Sequence, residues 1–192
     1  MAVDLPEVHA RALDRTHAFV AGIDASQLDT KSVCDDWSVR TLLNHVVSGN
    51  FWVPELVGGK TIDDVGDRLD GDVLDPDPLS AYDASASVAA AAFREPGAMT
   101  RPVAVSYGPV PGEVYCGHRL IDVLIHGWDV AASTGQDTTL DPELVEACWE
   151  VIEPQREMLA GSGAFGSHVT APPGSDRQTT LLAALGRRAT GA

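Results

Sequence analysis

The stretch from Gly117 to Gly135, GHRLIDVLIHGWDVAASTG, limits what this chain can fold into more than any other part of it. Spaced about 100° apart on a helix, Leu120, Ile121, Val123, Leu124, Ile125, Trp128, Val130, Ala131 and Ala132 cover nearly the whole circumference. A helix that is apolar almost all round belongs in an interior. Asp122 and His126 interrupt it. Four residues apart, they sit on one face, about 40° and about 6 Å from each other. Taking a carboxylate and an imidazole out of water costs several kcal/mol unless partners replace the water. One cation would serve both, so the pair predicts half of a metal site.

The rest of the chain predicts the surroundings. A first helix opens at Asp4, carries Pro6 in its first turn and runs to about Ile23. Leu5, Val8, Ala12, Phe19 and Ile23 form its apolar stripe, and His9 and His17, off that stripe, read as surface residues. Ser38 caps a second helix that ends at Gly58-Gly59, with a kink expected at Pro54. Two adjacent rows on it, one with Val39, Leu43, Val46, Asn50 and Val53, the other with Leu42, His45, Gly49, Trp52 and Leu56, set His45 within an apolar surface. Residues 59–78 are acidic and read as a surface loop. They lack the alternating ligands, central glycine and final glutamate of an EF-hand.

Asp77-Pro78 starts a third helix that stops at Pro96-Gly97. Val103, Val105 and Tyr107 alternate before GPVPGE, with Val114 and Tyr115 after it, which predicts a short hairpin outside any sheet core. Asp141-Pro142 opens a further helix to about Glu153, with Leu144, Cys148, Val151 and Ile152 facing inward. Residues 161–175 are loop, and a short helix holds Leu181, Leu182 and Leu185 before Gly186. Long apolar helices with short connections imply an all-α four-helix bundle with a short β-hairpin excursion. The expected division is a bundle domain over residues 1–160, followed at 161–192 by a C-terminal loop and short helix packed on it, ending in a frayed tail.

Composition narrows the function. A formal net charge of −15 excludes partners that need a basic face, namely nucleic acid and anionic membranes. No apolar run approaches the roughly 20 residues of a membrane span, and MAVDLPEVHARALDR has no apolar signal core. Cys34, Cys116 and Cys148 are odd in number, with no CxxC pair, so reduced thiols in a cytoplasm are expected, serving as packing residues. No phosphate loop or GxSxG is present. Exposed helix faces leave a homodimer open.

Zinc and similar divalent ions take imidazole and carboxylate ligands. His118 lies in the row of Asp122 and His126 but about 12 Å from His126, too far to share an ion; it borders a cavity or caps the helix start. The third ligand comes from another helix, and His45 is the candidate. Three protein ligands, His45, Asp122 and His126, leave a position open for water or substrate, as catalytic sites do. Asp129 pairs with Arg40 or a helix end, or else orients a ligand histidine. Trp52 and Trp128 are core packing or substrate platforms. Arg119 is a surface residue or meets an anionic substrate. The competing class is a helix bundle that binds a small molecule or partner without metal.

WSVRTLLNHVV and DVLIHGWDVAASTGQ resemble the DinB-like four-helix-bundle superfamily. Within it they are most similar to the actinobacterial branch that contains the metal-binding domain of mycothiol-dependent maleylpyruvate isomerase. The likeness extends weakly over most of the chain, including the FG at Phe165 and the LLAALGR near the end. It implies a divalent metal, commonly zinc, with nickel or manganese as alternatives, on a histidine of the second helix and a carboxylate-x-x-x-His pair of a later one: His45, Asp122 and His126. It also implies chemistry with a low-molecular-weight thiol such as mycothiol, as a thiol S-transferase or thiol-assisted isomerase acting on a small electrophile. The chain has Asp122 where the isomerase pattern has Glu, and fewer than sixty residues follow Gly135, too few for the isomerase's further C-terminal domain.

Overall fold

A computed structural model describes residues 3–34, 36–74, 76–155 and 169–188. The junction expected at 160/161, the FG at Phe165 and the chain beyond 188 lie outside the described residues. The chain divides into two compact units, Met1–Thr138 and Thr139–Ala192. The first contains α1 (Leu5–Ala21), α2 (Val39–Val57), the short α3 (Ile62–Val65), α4 (Pro78–Phe93), strands β1 (Pro102–Val105) and β2 (Gly108–Pro111), and α5 (Gly112–Thr134). Among the described residues no helix is long and apolar enough to cross a membrane.

Local chemistry sets most helix starts. The side chains of Asp4, Ser38 and Asp77 accept from the amides of Glu7, Thr41 and Ser80, satisfying donors that a first turn leaves open. α1 and α4 also carry proline at the start, where its missing N–H costs nothing. α2 passes through Pro54 and stops at Gly58. The acidic stretch expected to be loop contains α3, closed by a reciprocal Thr61–Asp64 capping box.

The sequence places Val114 and Tyr115 in the extended excursion, but α5 already begins at Gly112. It has no side-chain cap. Instead the Gly112 and Glu113 amides donate to the carbonyls of Arg101 and Met99 at 2.9 and 2.8 Å. Residues distant in sequence thus do the work of a cap. Gly112 permits the approach, since a Cβ there would stand 1.9 Å from the Ala98 carbonyl oxygen. The hairpin pairs Val103 with Val110 in antiparallel register and lies against α2 and α5. At its other end α5 closes on Gly135 in the left-handed conformation (φ 72°).

Helix α1 packs on α4 and α5, and α2 packs on the same two, closing a ring in the order α1, α4, α2, α5. That order makes α2 and α5 neighbours. On α5, Leu120, Ile121, Val123, Leu124, Ile125, Trp128, Val130 and Ala131 are all buried, as the apolar circumference predicts. The contact between α1 and α5 is close. The Thr16 hydroxyl donates to the Val123 carbonyl at 3.0 Å, and a Cβ on Gly127 would meet Thr16 Oγ1 at 2.3 Å.

His9 departs from the expected surface position. It is fully buried, edge-on to Phe93 with ring centroids 5.0 Å apart, and neither ring nitrogen has a hydrogen-bond partner among the described residues. A helix wedged between two others buries more than one stripe, which a single-stripe reading of α1 overlooks. Burial, with smaller contributions from Arg119 and Arg94, pushes the His9 imidazole down to about 3. His17 keeps a surface role, bonded to Asp83 at 2.7 Å.

The second unit holds α6 (Pro142–Ile152), capped by Asp141, and α7 (Arg177–Ala184), capped by Asp176. Arg177 joins them: its guanidinium bonds Glu146 at 2.7 and 2.8 Å and lies over the Trp149 ring. The Trp149 indole N–H donates to the Arg177 carbonyl at 3.3 Å.

Two stability experiments test this packing. Gly127→Ala, which drives a methyl into Thr16, is expected to cost about 1–3 kcal/mol in urea unfolding. For His9, the folded value lies below the ordinary imidazole value of about 6.5. Its neutral form is therefore accommodated at neutral pH, and stability is lost as pH falls from there toward about 3. The stability difference between His9→Leu and the wild type is expected to grow steadily in the variant's favour as unfolding is measured from pH 7 down to pH 4.

Candidate metal centre

His45 projects from the middle of α2, and Asp122 and His126 from successive turns of α5. Adjacency of those helices in the ring brings the three together. Asp122 Oδ1 lies 3.6 Å from His45 Nε2 and 3.6 Å from His126 Nε2. The two imidazoles meet edge to face, ring centroids 4.9 Å apart. One ligand atom from each residue lies within 4.8 Å of the other two. An ion with bonds of about 2.1 Å in tetrahedral coordination holds its ligand atoms about 3.4 Å apart. The donor set and its spacing therefore fit a zinc-like ion. The burial expected of the pair is less complete: side-chain exposure is 43% for His45, 21% for Asp122 and 12% for His126. The cluster lies in the wall of the bundle, open to solvent on the α2 side.

Residues around the cluster hold its members in position. Arg119 is buried and donates to Asp122 Oδ2 at 2.7 Å and to Asn50 Oδ1 at 3.0 Å. A surface reading of Arg119 is thereby corrected, because its guanidinium fills the space opposite Gly49, where a Cβ would come within 2.5 Å of it. Desolvation acts to raise the Asp122 carboxyl, but Arg119 above all, then His126 and His45, overcome it and hold the group well below the usual carboxylate range. Asp129 is fully buried, and its Oδ2 lies 2.9 Å from His126 Nδ1. Asp129 thus faces His126, while Arg40 pairs with Asp72 at 2.7 Å. With Nδ1 turned to a carboxylate, His126 presents Nε2 toward Asp122, an arrangement that fixes tautomer and ring plane.

The other sequence candidates fall nearby. His118 is apart from the cluster; its Nδ1 lies 2.5 Å from the Tyr107 hydroxyl of the hairpin turn. Trp52 is half-buried and, with Tyr107, Tyr115 and Arg119, lines a pocket of about 240 Å³. Trp128 is core, 2% exposed. Three residues escaped sequence reasoning. Trp37 packs its ring 5.1 Å from His45 and 6.2 Å from His126. Asn50 completes the hold on Arg119. Cys34 is not a core packing residue: it is half-buried, and a ligand atom of it lies within 4.8 Å of His126 and Asp129. The available signal was CDDW directly ahead of the helix that carries His45.

Fold and site together define a DinB-like four-helix bundle with a His–Asp–His cluster shared by two of its helices. The chain belongs to the family of the mycothiol maleylpyruvate isomerase N-terminal domain, whose model matches residues 9–131. Two Mycobacterium tuberculosis proteins, uncharacterized protein Rv0738 of strain H37Rv and uncharacterized protein MT0763 of strain CDC 1551, are each 36% identical over 184 residues, covering 93% of this chain and 95% of the relative. A crystal structure of a mutant of mycothiol-dependent maleylpyruvate isomerase shares the fold, with a TM-score of 0.61 and 15% identity over 80% of this chain and 68% of that one.

The Arg119–Asp122 pair yields a measurable consequence. Arg119→Met leaves a partly buried carboxylate without its cation and is expected to cost about 1.5–3 kcal/mol at pH 7. The depressed Asp122 carboxyl stabilises the fold above its unfolded value of about 4 and ceases to as pH falls through and below it. The gap between wild type and Arg119→Met in urea unfolding should therefore narrow below about pH 4.

Proposed function

We propose that this chain is a metal-dependent enzyme of the low-molecular-weight-thiol type, a thiol S-transferase or thiol-assisted isomerase acting on a small electrophile. His45, Asp122 and His126 would hold the metal, zinc foremost and nickel or manganese as alternatives. The observation that carries this reading is Asp122 Oδ1 standing 3.6 Å from both imidazole Nε2 atoms, on a surface reachable from solvent. Membership of the mycothiol maleylpyruvate isomerase N-terminal family supports the choice of thiol, with mycothiol as co-substrate. A divalent ion at such a site supplies Lewis acidity, lowering the pKa of a bound thiol so that it is present as thiolate.

The protein's own residues prepare that chemistry. Asp129 keeps the His126 ring in one tautomer. Arg119 occupies one carboxylate oxygen of Asp122 and leaves the other facing the two histidines. Its guanidinium also adds fixed positive charge beside the cluster, which favours an anionic nucleophile or substrate. The pocket with Trp52, Tyr115 and Arg119 in its walls offers apolar surface and one cation to a small organic substrate. Such a protein works in the cytoplasm, where the thiol pool is reduced.

Elemental analysis of untagged protein tests the metal. About one equivalent of zinc, nickel or manganese per chain is expected, with most of it lost in His45→Ala, along with the metal-dependent part of the melting temperature. Metal-free protein whose stability is unchanged by His45→Ala would instead mark a bundle that binds a small molecule or partner without metal. Calorimetry of the loaded protein with mycothiol and other small thiols tests the co-substrate, and no heat at millimolar thiol ends that part of the proposal.

A further inference from the structure

Two of the three thiols are sealed into the protein. Cys116 and Cys148 are fully buried, and burial pushes both up to about 12. Cys34 is half-buried, in a loop whose ends pair through an antiparallel bridge between Lys31 and Ser38. Inside that loop the Ser32 amide donates to the Trp37 carbonyl at 2.8 Å, and the Trp37 amide to the Cys34 carbonyl at 2.9 Å. The Cys34 amide donates to the Ser32 hydroxyl at 3.1 Å. The loop is also tied to α5: the Val33 amide donates to the Ser133 hydroxyl at 2.9 Å, and that hydroxyl to the Asp129 carbonyl at 2.6 Å. Backbone bonds thus set Cys34 against the turn of α5 that carries His126 and Asp129, with one ligand atom of each of the three within 4.8 Å of the others.

From this arrangement we propose that Cys34, His126 and Asp129 form a second metal position, for a strongly thiophilic divalent ion such as cadmium, on the Nδ1 side of the His126 ring. The donor set is one sulfur, one nitrogen and one oxygen, the mixture soft and borderline ions take. Thiolate and carboxylate together neutralise a dication. The His45–Asp122–His126 group brings a single negative charge and has the Arg119 guanidinium beside it. Asp129 is also the more deeply buried carboxylate, where neutralisation counts for more.

Protons account for the relation between the two positions. An ion at the Cys34 side releases the thiol proton, and a proton on Nδ1 leaves or moves to Nε2, which faces Asp122 Oδ1 at 3.6 Å. An ion at the His45 side needs the opposite tautomer, with Nδ1–H donating to Asp129. A neutral imidazole carries one N–H, so the two positions draw on the same ring and exclude each other. Cadmium and comparably soft ions gather at Cys34; zinc and harder ions such as manganese stay at His45 and Asp122.

Cadmium(II) titration of metal-free full-length protein tests this, with thiolate-to-cadmium charge-transfer absorption as the readout. One equivalent of cadmium is expected to develop the band in the wild type and in His45→Ala. Cys34→Ser is expected to lose the band, with affinity for cadmium down by about 10–100-fold or more. Circular dichroism of that variant checks its fold, and Cys34→Ala carries the same expectation should the serine variant unfold. Cadmium bound without the band, or a band that survives loss of Cys34, overturns the proposal. A band abolished by His45→Ala also overturns it, by making Cys34 one more ligand of a single centre. Loss of zinc in His45→Ala with the cadmium band intact separates this position from the one under Proposed function.

Discussion

Asp122 carries a negative charge into the wall of a helix bundle, and the arrangement around it follows from holding that charge there. Desolvation works against the carboxylate, and Arg119 answers it from one turn earlier on the same helix, at 2.7 Å. Arg119 is itself buried, so its remaining donors need partners, and Asn50 on α2 provides one. The glycine at position 49 leaves the space the guanidinium occupies. Through these contacts a charge on α5 fixes the register of α2 against it, and that register faces His45 toward His126. Structure and site are the same set of contacts seen from two sides.

The bundle that carries this charge depends on close approaches at small residues. Gly127 lets α5 lie against Thr16 of α1, and Gly112 lets the start of α5 reach the carbonyls of the segment before the hairpin. Both hold α5 in place from surfaces away from the cluster. His126 turns one nitrogen to Asp122 and the other to Asp129, so its ring stands between two groups of potential ligands rather than at the edge of one. Which nitrogen carries the proton then governs which side of the ring can accept a cation.

Much of this was legible in the residues. The i, i+4 spacing of Asp122 and His126 on an otherwise apolar helix marks the site, because such spacing has a single geometric meaning on a helix. Ser38, Asp77 and Asp141 mark helix starts because a cap is a local bond between near neighbours. The start of α5 was not legible, since its first amides are satisfied by carbonyls eleven and fourteen residues earlier. The burial of His9 escaped for a related reason: it reflects how many helices surround α1, and one stripe of residues does not count them. Arg119 looked like surface because arginine is seldom buried, and only Asp122 and Asn50 together explain why this one is. Cys34 looked like packing because no base is visibly placed to activate it; His126 and Asp129 come near it only across the fold.

Local patterns were enough for an all-α bundle, for the positions of most of its helices, and for setting Asp122 and His126 on one face, because these rest on interactions within a few residues along one chain segment. Only the packed fold makes α2 and α5 neighbours, brings His45 to the pair, sets Asp129 against His126, and puts a ligand atom of Cys34 within 4.8 Å of ligand atoms of His126 and Asp129. Those facts depend on how separate helices rotate and slide against one another. That is settled by packing at Gly49, Gly112 and Gly127 and by the buried charge of Arg119, none of which leaves a periodic trace in the sequence.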